Sequence, residues 1–314
     1  MAKIAFLFPG QGSQSVGMGM ELAEKFETAK TIFQTADAAL GENLSGLMFD
    51  GPQETLTKTV NAQPALLTSS TAILSILLEK GVHADYVAGH SLGEYSALVA
   101  AGSISFEDAI KTVRKRGELM EEAVPDGQGK MAAVLGMERN KLKQITDEIT
   151  DQGYPVQLAN LNCPGQIVIS GSAEGVEKAS LAAKEEGAKR CLPLNVSGPF
   201  HSSLMKPAAE KFKDVISSIT IKDASIPVIA NVTADAVFDS HRIQKLLVAQ
   251  LYSPVLWEDT ISQLLDLGVD TFIEVGPGKV LSGLVKKVNR QAVTLPVFDE
   301  ASLLAAIEAL RGEQ

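Results

Sequence analysis

The apolar positions along this chain follow two kinds of spacing, one typical of strands and the other of helices. Short apolar runs predict strands, and segments in which apolar side chains recur every three or four positions predict helices. In the first part of the chain these elements are predicted at Lys3–Phe8, Met20–Lys25, Thr28–Leu40, Ala65–Lys80, Tyr86–Ala88, Glu94–Ala100 and Phe106–Ala123. The mixture of strands and helices indicates an α/β fold built on a parallel sheet.

The order of predicted strands and helices changes after the turn Pro125-Asp126-Gly127-Gln128-Gly129. From there the pattern predicts strand, helix, strand, strand, helix and strand at Met131–Leu135, Arg139–Thr150, Val156–Leu161, Gln166–Ser170, Ala173–Glu186 and Arg190–Leu194. This βαββαβ order is that of a ferredoxin-like unit. We therefore expect a small ferredoxin-like domain at 127–196, inserted into a hydrolase-like α/β domain with a parallel sheet at 1–126 and 197–314.

The α/β alternation resumes after the insert. Helices and strands are predicted near Met205–Ser217, Pro227–Ala230, Arg242–Leu251 and Thr271–Val275, and the turn Gly276-Pro277-Gly278 is expected to open a further helix at Lys279. Two domains of unequal size imply a cleft between them, where ligand sites commonly form.

Composition excludes several classes of function. The chain has 314 residues and a formal charge of −10, so a general nucleic-acid binder, which needs a basic face, is not expected. The two cysteines, Cys163 and Cys191, have no metal-ligand spacing and are expected to be reduced thiols. Because the sequence shows neither a signal peptide nor a long apolar run, we expect a cytoplasmic protein without a metal or a membrane contact.

Ser91 stands at the apex of a predicted strand, turn and helix, in Gly89-His90-Ser91-Leu92-Gly93. The flanking glycines permit a sharp turn that exposes the hydroxyl, and the following helix N-terminus favours developing negative charge. This context is typical of a nucleophile elbow. The bare pattern also fits a plain turn or a helix cap.

A serine hydroxyl needs a base to accept its proton, and the chain has four histidines. His83 and His241 lie in polar segments that we expect to be solvated. His90 is expected to point away from Ser91 and to pack or bond to backbone beneath the elbow. His201 lies in the loop Ser197–Ser203, where the small domain rejoins the large one, and is the candidate general base. Its alternative role is a loop histidine bonded to nearby backbone.

A carboxylate that would complete a catalytic triad is not evident. Hydrolases with this elbow carry serine, then Asp or Glu, then histidine in chain order. The carboxylates between Ser91 and His201 lie in segments that look helical or surface-like. The group that orients His201 is therefore expected to be a neutral carbonyl.

Eight short motifs occur in order along nearly the whole chain. They are Gly10-Gln11-Gly12-Ser13-Gln14, Gln63-Pro64-Ala65, Gly89-His90-Ser91-Leu92-Gly93-Glu94, Arg116-Gly117, Asn162-Cys163-Pro164-Gly165-Gln166, Gly198-Pro199-Phe200-His201, Gln250–Trp257 and Glu274-Val275-Gly276-Pro277-Gly278. Together they resemble the malonyl-CoA:acyl carrier protein transacylases of bacterial type II fatty acid synthesis. The resemblance implies ping-pong transfer of a malonyl group from malonyl-CoA to the phosphopantetheine thiol of acyl carrier protein, with no bound cofactor.

The resemblance also implies roles for particular residues. Ser91 resembles the nucleophile that becomes a malonyl ester, and His201 resembles its base. The main-chain carbonyl of Gln250 resembles the acceptor that orients this histidine. The backbone N–H groups of Gln11 and Leu92 resemble the oxyanion hole.

Three further side chains are implied to bind the substrate. Arg116 resembles the residue that grips the malonyl carboxylate, although by itself it would be interpreted as part of a solvated helical face. Gln63 resembles a polar group that lines the site. Phe200 is expected to narrow the pocket beside the substrate α-carbon and to favour malonyl over methylmalonyl.

An acidic carrier protein would need a basic patch on this acidic chain. Two candidates are visible in the sequence, one with Lys286, Lys287 and Arg290 and the other with Lys184, Lys189 and Arg190. We expect the protein to be a monomer.

Three other functions remain open from the sequence. A serine hydrolase or thioesterase would share the elbow and His201. A nucleotide binder would use Gly10-x-Gly12, but Ser15 stands where the third glycine of the dinucleotide motif is required. A stand-alone acyltransferase of polyketide synthesis would serve a different carrier protein.

Overall fold

The computed structural model describes residues 3–125, 127–196 and 198–312. Its strands are β1 (Lys3–Phe8), β2 (Tyr86–Gly89), β3 (Gly129–Leu135), β4 (Val156–Cys163), β5 (Gln166–Ser172), β6 (Arg190–Pro193), β7 (Val228–Ile229), β8 (Ala236–Val237), β9 (Val269–Val275) and β10 (Val293–Val297). Its helices are α1 (Met20–Lys25), α2 (Glu27–Leu40), α3 (Leu44–Asp50), α4 (Gln53–Thr57), α5 (Thr59–Glu79), α6 (Gly93–Ala100), α7 (Phe106–Glu122), α8 (Arg139–Asp151), α9 (Ala173–Glu185), α10 (Lys206–Ser217), α11 (Ser240–Gln250), α12 (Trp257–Asp266), α13 (Val280–Val288) and α14 (Glu300–Gly312).

The larger sheet has the strand order β10-β9-β1-β2-β7-β8. Its strands pair in parallel, except that β7 and β8 are antiparallel. In the β1–β2 pair Phe8 lies opposite Gly89, so both strands end at the same edge of the sheet. The loop with Gln11 and the elbow with Ser91 follow directly from those two ends. The carboxyl edge of a parallel sheet is where α/β proteins place their ligand sites.

Both faces of this sheet are covered. On β1, Phe6 and Phe8 face one apolar core, and Ala5 and Leu7 face another on the opposite side. Strands buried on both faces appear in a sequence as nearly continuous apolar runs, which is the pattern that the chain shows at its start. The rigid sheet therefore fixes the positions of the loops at its edge.

The smaller sheet has the order β4-β5-β3-β6, with antiparallel neighbours throughout. With α8 and α9 between the strands, this is the ferredoxin-like topology, and a third core packs the helices on the sheet. The predicted fold class, a hydrolase-like parallel-sheet domain with a ferredoxin-like unit, is confirmed. The boundaries at 127 and 196 stay a prediction, and Asp126 and Ser197 beside them lie outside the described residues.

A backbone contact joins the smaller sheet to the segment between α11 and α12. Asn160 on β4 forms a parallel bridge with Val255, and the N–H of Val255 donates to the carbonyl of Ala159 at 2.8 Å. The N–H of Leu161 in turn donates to the carbonyl of Val255 at 2.9 Å. The segment that follows α11 is therefore held against the small domain, close to Gln250.

Several sequence-based boundaries need correction. Helix α5 begins at Thr59, not at Ala65, and includes Pro64. The pattern also missed α3, α4, α12, α14, β8 and β10. Most of these are short or follow directly on another element, so their periodicity is brief. In the described part of the chain, no helix has the length and apolar character that crossing a bilayer requires.

Candidate active site

The elbow predicted around Ser91 forms between β2 and α6. Ser91 has a φ of 51°, in the left-handed region that only a tightly constrained non-glycine residue adopts. The glycines on either side are required by space: a Cβ on Gly89 would lie 1.9 Å from the carbonyl carbon of Gly93, and one on Gly93 would lie 2.0 Å from the carbonyl oxygen of Phe8. The turn therefore holds the serine at the start of α6.

His201 lies directly beside this serine. Its Nε2 atom is 2.7 Å from Ser91 Oγ, and its Nδ1 atom is 2.8 Å from the backbone carbonyl oxygen of Gln250. Because a carbonyl only accepts, Nδ1 carries the proton and Nε2 is free to accept the serine hydroxyl proton. The expected neutral orienting carbonyl is thus within hydrogen-bond distance of the histidine.

The His201 backbone is itself constrained, with a φ of 58°. Its N–H donates to the carbonyl of Leu251 at 3.1 Å, and its carbonyl accepts from Gln157 Nε2 at 3.2 Å. Gln157 lies on β4, so the small domain contributes to holding the loop. Burial, together with the nearby Arg116 charge, lowers the pKa of His201 to about 3. The imidazole is therefore neutral and able to accept a proton at physiological pH.

Arg116 on α7 is buried beside Ser91 and is only 1% exposed, which excludes the solvated face suggested by its local sequence. Its Nη2 donates to Ser91 Oγ at 3.2 Å and to Gln250 Oε1 at 2.9 Å, and its Nη1 donates to Gln63 Oε1 at 2.7 Å. A buried guanidinium needs acceptors or an anion, because leaving its charge unpaired is costly. Neutral amide oxygens fill that need here and leave the charge uncompensated by direct ion pairing.

A cavity of about 140 Å³ opens above these residues. Its walls include Gln11, Ser91, Leu92, Arg116, Met120, Met131, Asn160, Phe200 and His201. Gln63 and Gln250 do not line this cavity. Gln63 contacts Arg116, and Gln250 contacts both Arg116 and His201. Phe200 is buried next to His201, at the position expected for a residue that narrows the pocket.

The two predicted oxyanion-hole residues lie on either side of the elbow, at the ends of β1 and β2. Gln11 follows β1, and its side-chain Nε2 donates to Thr59 Oγ1 at 3.1 Å, which fixes the loop. Leu92 follows Ser91 and is buried at the start of α6. Both residues line the cavity that contains Ser91.

Two buried polar residues at the site were missed by the sequence reasoning. Asn231 Oδ1 accepts the backbone N–H of Ser91 at 2.7 Å, and its Nδ2 donates to the carbonyl of Gly89 at 2.7 Å, so it clamps both ends of the turn. Glu94 had been grouped with the surface-like carboxylates but is only 4% exposed, and burial raises its pKa to about 7. Its isolation in the apolar helix α6 was the signal that could have identified it.

His90 lies beneath the elbow as expected, but its partner is a side chain, not backbone. Its Nε2 is 2.8 Å from Asn162 Oδ1, and its ring packs 5.3 Å from the Trp257 ring, centroid to centroid. Burial lowers the pKa of His90. The contact with Asn162 connects the elbow to the end of β4 in the small domain, next to the β4–β5 turn.

The two basic clusters meet at that same turn. Lys287 on α13 donates to Gln166 Oε1 at 2.9 Å, and the Lys189 side chain covers Gly136, whose N–H donates to the carbonyl of Gly165 at 2.7 Å. One member of each cluster, Lys287 from Lys286, Lys287 and Arg290 and Lys189 from Lys184, Lys189 and Arg190, is therefore placed close to this turn. None of the six forms an ion pair with another described residue. We call them the basic face.

The family model described as "Acyl transferase domain" matches residues 5–304. The match covers nearly the whole chain, both sheets and every residue of the site described above. Together with the elbow and its histidine, it shows that this protein is an acyltransferase.

Relatives narrow the class further. The chain is 61% identical over 313 residues to the malonyl CoA-acyl carrier protein transacylase of Bacillus subtilis (strain 168), covering 100% of this chain and 99% of that one. A crystal structure of an acyl carrier protein S-malonyltransferase from Vibrio cholerae O1 biovar eltor superposes with a TM-score of 0.95 at 46% identity, covering 97% of this chain and 100% of that one. The chain belongs to the family of malonyl CoA-acyl carrier protein transacylases.

A further structural relative bears on partners. A malonyl-transacylase solved in complex with its type II PKS acyl-carrier protein has a TM-score of 0.96 and 44% identity to this chain, covering 98% of this chain and 100% of that one.

Proposed function

We propose that this enzyme moves a malonyl group from malonyl-CoA to the phosphopantetheine thiol of acyl carrier protein through a malonyl ester of Ser91, for use in fatty acid elongation. The observation that carries the proposal is the alignment of Ser91 Oγ, His201 and the Gln250 carbonyl at 2.7 and 2.8 Å. A nucleophile, a base and a group that orients the base are the minimum for acyl transfer by this route.

In the first half-reaction His201 Nε2 accepts the Ser91 proton as the hydroxyl oxygen attacks the thioester carbonyl. The carbonyl oxygen becomes an oxyanion, which the backbone N–H groups of Gln11 and Leu92 are positioned to bind. Such fixed donors typically contribute ~10²–10³ in rate each. The intermediate then collapses, the carbon–sulfur bond breaks, and the histidine proton goes to the CoA thiolate.

The second half-reaction runs the same steps with a different nucleophile. The phosphopantetheine thiol gives its proton to His201 and attacks the malonyl ester, and the proton returns to Ser91 Oγ as the ester bond breaks. Water competes with the thiol for the ester. We propose that the neutral Gln250 carbonyl makes His201 a weaker base than a carboxylate would, which restrains activation of water.

Arg116 is proposed to bind the free carboxylate of the malonyl group. Its guanidinium is buried at the bottom of the cavity, 3.2 Å from the oxygen that becomes acylated. A malonyl carboxylate brought into this site must be paired, and the planar fork of arginine matches a carboxylate bidentately where lysine does not. Gln63 Oε1 holds one end of the fork from α5.

Phe200 is proposed to select malonyl over larger acyl groups. Its ring lies on the cavity wall beside the base, where a methyl on the substrate α-carbon would need space. Packing against one extra methyl group yields a discrimination of only ~10–200-fold. Equal turnover of malonyl-CoA and methylmalonyl-CoA would contradict this role.

The basic face is proposed as the docking surface for the acidic carrier protein. It spans both domains at the β4–β5 turn, and Asn162, near the end of β4 and beside this turn, contacts His90 at the elbow. A carrier bound there would deliver its phosphopantetheine arm into the cleft. We further propose that the enzyme acts in the cytoplasm as a monomer, without nucleic acid, membrane or metal.

The proposal is tested by intact mass spectrometry. Wild type and the Ser91→Ala variant are exposed briefly to malonyl-CoA, and holo acyl carrier protein is then added. A malonyl adduct on wild type alone, discharged onto the carrier, supports the proposal. Discharge to water alone would indicate a hydrolase, and the absence of an adduct would return Ser91 to a structural role. Carriers of fatty acid and polyketide synthesis, compared side by side, identify the preferred partner.

A further inference from the structure

Glu94 is a buried carboxyl group to which the transfer reaction assigns no role. Its Oε2 atom accepts from Gln250 Nε2 at 2.6 Å and from the backbone N–H of Asn231 at 3.2 Å. Neither contact is with the serine, the histidine or the arginine of the site. The carboxyl group therefore acts on the site only through the residues that surround it.

The Gln250 side-chain amide has a donor end and an acceptor end. Its two charged neighbours, Glu94 and Arg116, bind opposite ends of it. Its Nε2 donates to Glu94 and also, over longer distances, to the Ser91 carbonyl at 3.0 Å and to Asn231 Oδ1 at 3.4 Å, and its Oε1 accepts from Arg116 Nη2 at 2.9 Å. An ionised carboxylate only accepts hydrogen bonds, and a guanidinium only donates them. With both neighbours charged, a single orientation of the Gln250 amide satisfies both.

We propose that Glu94 is a positioning residue that, through the Gln250 amide, presents an acceptor to Arg116 and so sets its guanidinium for the carboxylate of the substrate. The inference rests on the proposed function of Arg116 in binding that carboxylate. Gln63 Oε1 holds the other side of the guanidinium at 2.7 Å. A reversed Gln250 amide would place an NH₂ group against the guanidinium, and Arg116 would lose one of its two fixed amide partners.

Protonation of Glu94 has the same effect as removing its charge. A protonated carboxyl can also donate to Gln250 Oε1, so the Nε2 end of the amide is then held only by neutral acceptors, the Ser91 carbonyl and Asn231 Oδ1, and its orientation is fixed less strongly. Burial raises the pKa of Glu94 to about 7, against the opposing influence of the Arg116 charge. Tyr95, which adjoins both groups on α6, has its pKa raised by burial and stays neutral in this range. The positioning effect is therefore present above pH 7 and lost below it.

The test measures the rate of Ser91 acylation by malonyl-CoA and by acetyl-CoA, which has no carboxylate for Arg116 to bind. Glu94→Gln keeps the size of the side chain and its acceptor for the Asn231 N–H. Loss of a charge-assisted hydrogen bond predicts a fall of about 10–100-fold in the malonyl-to-acetyl ratio of kcat/KM. In wild type the ratio falls as the pH is lowered from 8 to 6, and in Glu94→Gln it is low and independent of pH.

Glu274→Gln is the matched control. Glu274 is also a buried carboxyl, but it accepts the backbone N–H groups of Leu281 and Ser282 at the start of α13 and has no contact with Gln250. Its loss is expected to leave the malonyl-to-acetyl ratio unchanged. A parallel fall of both rates in Glu94→Gln, with no pH dependence of the wild-type ratio, overturns the inference. A wild type that forms no malonyl ester contradicts the proposed function instead. If Glu94→Gln does not fold, the wild-type pH series decides alone.

Discussion

The Nδ1–H of His201 donates to the backbone carbonyl of Gln250 over 2.8 Å, so a neutral group orients the base at this site. The carbonyl belongs to the last residue of α11, and the same residue uses its side chain to contact Arg116. One residue thus connects the base to the group proposed to bind the substrate carboxylate. A carboxylate at this position would favour a charged imidazole, whereas a carbonyl leaves the imidazole neutral.

The state of His201 provides the first prediction. Because burial and Arg116 lower the pKa of His201 to about 3, its ring is expected to keep one neutral tautomer, protonated at Nδ1, from pH 8 to pH 5. Nitrogen-15 NMR of the histidine rings reads this directly, with the His201→Ala spectrum used for assignment. A ring that titrates near the ordinary value of about 6.5 would contradict the neutral base.

The same variant tests the role of the base. His201→Ala is expected to slow malonyl loading of Ser91 by ~10²–10⁴, the usual contribution of a positioned general base. The exposed His241, at the start of α11, is the matched control, and its alanine variant should load at the wild-type rate. Equal losses in the two variants would show that His201 has no special role.

Arg116→Lys keeps the positive charge but removes the planar fork. We expect KM for malonyl-CoA to rise by about 10–100-fold, because a lysine does not reproduce bidentate carboxylate binding and a lost hydrogen bond to a charged group is worth ~1.5–3 kcal/mol. Arg114→Lys is the control, since Arg114 lies on the same helix but pairs with Asn61 and Glu42. Steady-state kinetics of the two variants distinguishes an effect on the substrate site from a general effect on helix α7. An unchanged KM in Arg116→Lys would count against carboxylate binding by Arg116.

Asn231 is expected to hold the elbow in its constrained conformation. Asn231→Ala leaves the Ser91 N–H and the Gly89 carbonyl without their partners, and a buried unsatisfied group costs ~1–3 kcal/mol. The free energy of unfolding should fall by that order, together with the rate of Ser91 acylation. Urea denaturation of Asn231→Ala and of Asn140→Ala, a variant of an exposed asparagine on α8, checks this. A stable Asn231→Ala enzyme of normal activity would mean that the turn holds itself.

Glu94 makes stability depend on pH in a definite direction. Its pKa is 4.5 in the unfolded chain and about 7 in the fold, so the folded state binds the proton more tightly. Its contribution is therefore full below pH 4.5 and is lost as the pH rises through about 7. Relative to Glu94→Gln, wild type should lose stability between pH 5 and pH 8. Urea denaturation of both proteins at each pH gives the difference between their free energies of unfolding, wild type minus Glu94→Gln. Groups that titrate in both proteins cancel in this difference. A difference that stays constant or rises with pH would refute the assignment.

Charge changes in the basic face are expected to weaken the binding of acyl carrier protein and to leave the reaction with malonyl-CoA unchanged. Lys189→Glu and Lys287→Glu should each raise KM for acyl carrier protein, most strongly at low ionic strength, because attraction between exposed charges is screened by salt. Malonyl-CoA loading should stay at the wild-type rate. Lys213→Glu on α10 changes the net charge equally and is the control. Unchanged carrier KM in both variants would place the docking surface elsewhere.

Local sequence patterns predicted much of the fold. The apolar run of β1, the change of rhythm at Pro125 and the βαββαβ order each depend on neighbours in the chain, and the structure has these elements. The elbow was visible for the same reason: strand, glycine, serine, glycine and helix occupy adjacent positions, and a Cβ at Gly89 would lie 1.9 Å from the carbonyl carbon of Gly93 within the same turn. Short helices such as α3 and α4 were missed because their patterns are too brief.

The environment of individual side chains was decided only by tertiary structure. Arg114 and Arg116 stand two positions apart with the same chemistry, yet one forms an ion pair near the surface and the other is buried against Ser91. Glu94 resembles a helix-start acid in the sequence, but it contacts Gln250 across 156 positions, and Ser91 meets His201 across 110. Local sequence patterns do not predict contacts between residues so far apart in the chain. The burial and the partners of these side chains are set when the two domains and the loops at the sheet edge pack together.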